Sequence, residues 1–170
     1  MRGGAIALLA GLLTVSIVAA GCSSFGWREF TWKGGGGADF SFAIEYPDYF
    51  LPQAEPVPVP GRIVLLGVAT ETGFRSMPSM VVVDWKKVDP KGGIDRLLKD
   101  LGKGTAAWKP VQVAGHAGFR CEESNWELLV VQPKGCKTAC VVQVLYGIPK
   151  QKKIVQDCDR MLRSVKVGKI

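Results

Sequence analysis

The apolar positions of the chain first recur every second residue. Phe40, Phe42, Ile44 and Tyr46 alternate with Ser41, Ala43 and Glu45, which predicts a half-buried strand ended by Pro47. Prolines at 56, 58 and 60 predict a stiff, extended connector over residues 53–60. Residues 62–69 and 80–88 are rich in Val, Leu and Ile and read as strands, with an exposed loop over 70–78 between them. The period then changes. Ile94, Leu97, Leu98 and Leu101 recur at i, i+3, i+4 and i+7 among charged residues, the pattern of an amphipathic helix. Asp89-Pro90 marks its approach, and Gly102 and Gly104 stop it.

Four β segments are expected next, over 111–113, 118–123, 126–132 and 138–148. Ser124-Asn125 and Pro133-Lys134-Gly135 supply the turns. A second helix follows Pro149. Ile154, Val155, Cys158, Met161, Leu162 and Val165 share one of its faces, and Lys152, Lys153, Gln156, Asp159, Arg160 and Arg163 the other. The expected fold is α+β: an antiparallel sheet flanked by helices, in one domain over residues 39–170.

Upstream of that domain the pattern is of another kind. Arg2 precedes an apolar run over residues 5–20, and Ala19-Ala20-Gly21-Cys22 follows. A positive residue, an apolar stretch too short to span a bilayer and a small-residue cleavage site read as an export signal. The run into Cys22 resembles a lipobox, although Ala19 stands where leucine is usual. Residues 1–21 are therefore expected to be a signal peptide and Cys22 a lipidated N-terminus. Ser23, which is not Asp, favours outer-membrane sorting in chains with such a start. The expected location is the bacterial cell envelope, lipid-anchored and facing the periplasm. Residues 22–38 read as a flexible tether jointed at glycines 34–37. Its aromatic residues Phe25, Trp27, Phe30 and Trp32 suit either the lipid headgroup region or a first strand packed on the domain.

Charge sharpens this picture. The net charge is +7, but residues 22–132 carry 12 Lys/Arg against 13 Asp/Glu, whereas 133–170 carry 9 against 2. Lys150, Lys152, Lys153, Arg160 and Arg163 form a candidate basic binding patch on the last helix. The lysines in its first turn oppose the helix dipole, a local rule broken without local gain. Anionic lipid or an acidic envelope protein suits such a patch. Nucleic acid is not expected in that compartment.

Four cysteines besides Cys22 remain: Cys121, Cys136, Cys140 and Cys158. An even number in an oxidising compartment predicts two disulfides, with three connectivities open. Pairing Cys121 with Cys158 and Cys136 with Cys140 is the preferred one, pinning helix to sheet and closing a hairpin. No metal or cofactor site is expected, since CxxC is absent and His116 is the only histidine. His116, in Val-Ala-Gly-His-Ala-Gly, reads as a turn residue in solvent. Glu122 and Glu123 adjoin on a strand, so they point to opposite faces and cannot work as an acid–base pair.

The order of elements resembles the PsbP-like α/β/α fold, and more narrowly the DcrB-type bacterial lipoproteins. The residues that carry the resemblance are Phe40-Ser-Phe-Ala-Ile-Glu-Tyr-Pro47, Met80-Val-Val-Val-Asp84, the Leu-rich helix after Asp89-Pro90, Gln112-Val-Ala-Gly-His116, and the strand over 141–148 leading through Pro149 into the last helix. The resemblance implies a non-catalytic binding or assembly module and carries over no catalytic residues. Two alternatives stand beside it: an envelope thiol–disulfide enzyme using Cys136 and Cys140, and a purely structural lipoprotein.

Overall fold

The computed structural model describes residues 26–53, 59–68, 78–102, 106–148 and 150–170. The expected signal peptide, Cys22 and most of the proline-rich connector lie outside the described residues.

Among the described residues, ten strands and two helices form three layers. The central layer is a seven-stranded antiparallel sheet in the order β3 (Phe50–Pro52), β4 (Arg62–Val68), β5 (Met80–Lys87), β9 (Thr138–Leu145), β8 (Trp126–Val131), β7 (His116–Glu122) and β6 (Lys109–Val113). Helix α1 (Gly93–Leu101) covers one face. Helix α2 (Lys152–Ser164) covers the other, together with a small sheet in which β2 (Phe40–Pro47) is flanked by β1 (Trp27–Trp32) and β10 (Lys166–Lys169).

Strand alternation divides the core in two. Leu129, Val131, Cys140, Val142 and Val144 point toward α2 and β2, where they meet Met161, Leu162, Phe40, Phe42 and Ile44. Their neighbours Leu128, Val130, Ala139 and Val141 point the other way and meet Leu98 of α1. Such strands are buried on both faces, so they read as continuous apolar runs rather than alternating ones. The alternation seen in β2 has the same cause in reverse: Phe40, Phe42, Ile44 and Tyr46 are buried while Ser41, Ala43 and Glu45 are half-exposed.

The structure departs from the expected layout at both ends. Of the two readings of the aromatic N-terminal segment, the strand is observed: β1 pairs antiparallel with β2 from Trp27↔Pro47 to Trp32↔Phe42, with Phe30 buried. The folded domain therefore starts near Trp27, not at Asp39. Glycines 34–37, expected as a joint, make the tight β1–β2 connection, each with a positive φ that few other residues adopt. At the other end β10, absent from the expected layout, pairs its Val167 with Phe42.

His116 opens β7. The preceding Ala114 and Gly115 have φ of 48° and 83°, the left-handed pair that two-residue hairpins favour.

Candidate functional site

Helix α2 carries four of the five predicted basic residues, while Lys150, expected on its first turn, precedes its N-cap, and the ground beneath the helix carries charges that pattern reading did not single out. Gln151 precedes the helix without a side-chain cap, and no acidic residue occupies the first turn. The unfavourable position of Lys153 is offset locally. Its Nζ lies 2.6 Å from Asp157 one turn on and sits 4.9 Å above the Tyr49 ring. Lys150 donates to the Ser124 carbonyl at 3.2 Å and lies 4.2 Å above the Tyr146 ring. Arg163 pairs with Asp159 at 2.5 Å. The Arg160 guanidinium stacks 3.9 Å over the Trp27 ring and stands 3.8 Å from Glu45.

The five residues thus line one flank, but four of them already share their charge with a carboxylate, a carbonyl or a ring. Lys152 is the exception: it makes no ion pair or hydrogen bond among the described residues. Arg160 and Arg163 stay largely in water, with side chains 56% and 75% exposed.

Below the helix lies a buried polar network. Glu127 of β8 is 1% exposed. One of its carboxylate oxygens accepts from Arg120 of β7, and the other accepts from the Tyr146 hydroxyl at 3.0 Å. Arg120 also donates to Asp159 of α2 at 3.0 Å, so one guanidinium joins sheet to helix. Burial works against the Arg120 charge, but the hydrogen bonds and charges of Glu127 and Asp159 outweigh it and raise its pKa. Burial, then the adjacent Glu127, pushes the Tyr146 hydroxyl far above its usual range. On the same side the Tyr49 hydroxyl donates to Asp157, and burial and that carboxylate raise its pKa as well.

A signal for this network existed in the sequence. Glu127 is the single charge in Trp126-Glu-Leu-Leu-Val-Val131. Arg120 pairs across from Leu129, two residues from Glu127 on the same strand and hence on the same face. Reading register as well as alternation brings the two together.

The cysteines are not staples: all four are buried free thiols. Cys121 pairs across from Leu128, so its side chain lies on the α1 face, whereas Cys158 packs in the core on the α2 face. The sheet stands between them. Cys136 donates its thiol to the Asp39 carbonyl at 3.2 Å, and Cys140 is enclosed in β9.

Burial raises the pKa of every one of these thiols. That holds them neutral, the opposite of what a thiolate nucleophile needs. His116 accepts a 3.4 Å hydrogen bond from the Lys134 amide and meets neither a cysteine nor a carboxylate among the described residues.

A pH dependence follows. Burial, then the charges of Asp157 and Glu127, moves Cys158 from 9.0 to about 12. Below pH 9.0 both folded and unfolded chains hold this proton, and its contribution to stability is complete. Between there and about 12 only the folded chain keeps it, so stability falls as pH rises. Cys121, Cys136 and Cys140, raised in the same direction, share the loss from 9.0 upward, and Tyr49 and Tyr146 add to it above 10.0. Urea midpoints measured across this range should decline, and Cys158→Ala should flatten the earlier part of the decline. An unchanged slope in that variant would remove Cys158 from the effect.

No helix among the described residues is long and apolar enough to cross a membrane. No known protein family matches the sequence, and neither does any curated protein. Solved structures do. The chain is similar to cyanobacterial PsbP (CyanoP) from Synechocystis sp. PCC 6803, with a TM-score of 0.57 and 10% identity over 88% of this chain and 96% of that one. A protein of Bacteroides thetaiotaomicron matches with a TM-score of 0.49 and 10% identity, covering 82% of this chain and 48% of its own. With α1 on one face of a large antiparallel sheet, α2 and the small sheet on the other, and this likeness over 88% of its length, the chain has a PsbP-like fold.

Proposed function

We propose that this chain is a bacterial envelope lipoprotein, held to a membrane by lipid on Cys22, whose PsbP-like domain is a non-catalytic binding or assembly module. In this reading the exposed flank of α2 meets an anionic lipid surface or an acidic envelope protein. The observation that carries it is the stacking of Arg160 on Trp27, the first residue of β1. Trp27 lies five positions after Cys22. Even fully extended, the stretch from Cys22 to Gly26 reaches only about 14 Å. A lipid on Cys22 therefore keeps Arg160 within about 20 Å of the headgroups, short enough for the flank to reach the roughly 8–10 Å over which surface charge acts in physiological salt.

Two variants test the reading in intact cells. Cys22→Ala should move the chain out of the membrane fraction, and retention there would overturn the anchor. Replacing Lys152, Lys153, Arg160 and Arg163 with glutamine should leave the chain folded and in the membrane fraction. It should weaken crosslinking to its envelope neighbour by about tenfold, as expected when several rim charges are lost together. Unchanged crosslinking would remove α2 from the proposal.

A further inference from the structure

At the other end of β1 from Trp27, a groove of about 760 Å³ opens between Trp32 and Trp85. Gly34, Gly35 and Gly36 form one side, and Arg62, Lys86 and Lys87 contribute to the rest. The glycine loop lies against the indoles. A Cβ on Gly36 would sit 3.6 Å from Trp85 Nε1, and one on Gly35 4.0 Å from Trp32. Trp32 is braced edge-on against Phe40, with ring centroids 5.7 Å apart. Gly61 is held to the same strand, its carbonyl accepting from the Trp85 amide at 2.7 Å. The walls of this groove are thus fixed by hydrogen bonds and core packing.

Its charge differs from that of α2. The nearby acids are already engaged: Asp84 by Arg62 at 2.5 Å, and Asp39 by the amides of Lys137 at 2.7 Å and Thr138 at 3.2 Å. Lys86 and Lys87 line the groove. Lys33 follows Trp32 in the chain, and Lys137 accepts from the Val88 amide just beyond β5. None of these four lysines makes an ion pair among the described residues. The free positive charge of the domain therefore gathers here more than on the helix where the sequence concentrates it.

We infer that this groove binds an anionic saccharide, with the indoles stacking on sugar rings and Lys87, on the same face of β5 as Trp85, receiving carboxylate or phosphate groups. The volume falls within the range of small-ligand sites, about 300–1,000 Å³. Half-buried indoles in a recess suit a chain segment entering between them. A flat bilayer calls instead for protruding apolar side chains. This inference stands apart from the anchor, because the groove's chemistry is the same with or without lipid on Cys22.

The test titrates the purified full chain with a galacturonic acid oligosaccharide and, separately, with a neutral galactose oligosaccharide of equal length. Tryptophan emission and calorimetry are the readouts. The charged sugar should bind and shift the emission, with the neutral one at least about tenfold weaker. Lys87→Glu should weaken the charged sugar by about tenfold or more. Each of the remote pair Lys99→Glu and Lys109→Glu, made singly and so equal in charge change, should alter it less than about twofold. Further arms use phosphatidylglycerol vesicles and an oligothymidylate. Binding to either of these without binding the free sugar would overturn the inference. So would equal affinity for the neutral sugar, equal loss in the remote pair, or no binding at all.

Discussion

Arg120→Ala should destabilise the folded chain by about 3 kcal/mol, the low end of what breaking a buried ion pair costs. The low end applies because the Arg120 side chain is 30% exposed, so water reaches the vacated space. The loss is still large. Glu127 would stay buried with only the Tyr146 hydroxyl against it, and Asp159 would lose its link to the sheet. Glu127→Gln should cost less, about 1 kcal/mol, because Arg120 keeps Asp159 as its partner and no bare charge is left inside. Urea unfolding with an unchanged slope measures both. The ordering is the test: equal losses in the two variants would mean that the pair contributes packing rather than charge compensation.

Phe40→Ala should be more damaging, at about 4 kcal/mol. Phe40 is completely buried in the main core, on the middle strand of the small sheet, with Trp32 packed edge-on against it. Removing the ring empties a site that strands on both sides hold open. A domain has roughly 5–15 kcal/mol of stability in total, so the variant should sit near the unfolding threshold at ordinary temperature. Phe40→Leu, which keeps most of the volume, should lose less than half as much. Leu51→Ala, at an edge position 40% exposed, should change stability by no more than about 0.5 kcal/mol. A mild effect of Phe40→Ala would show that the small sheet can collapse onto the vacancy.

The sequence pattern locates β2, every strand from β4 to β9 and both helices to within a few residues, because most of them bury enough apolar surface to stand out as a period or as a continuous apolar run. The strands it misses are short or compositionally awkward. β10 is Lys-Val-Gly-Lys, with one buried side chain, and exists as a strand because β2 offers it an open edge. β3 is three residues that end in proline. β1 was legible as a strand but equally as a tether, and pairing with β2 decides between the two. Local pattern carries no information about an edge supplied from elsewhere in the chain.

The site was legible in reverse proportion to its burial. The lysines and arginines of α2 stand out in composition, yet most spend their charge on neighbours. Glu127 and Arg120 are single letters in apolar strands, and the groove at Trp85 draws its residues from three separate segments. The cysteines were counted correctly, but the preferred Cys121–Cys158 pair lies on opposite faces of the sheet, and a count does not say which face each thiol occupies.

The small sheet also governs how the chain becomes folded. β2 holds β1 on one side and β10 on the other, and Ala43 faces Lys166 across that second edge. Residues so distant in sequence meet only after the long intervening loop has closed, which is the step that slows folding most. A chain that emerges or is exported from its N-terminus therefore waits, with one side of β2 bare and Phe42 without its Val167 partner, until its last residues arrive. β2 and β10 form a latch, and the small sheet is complete only when the last strand has returned to the second.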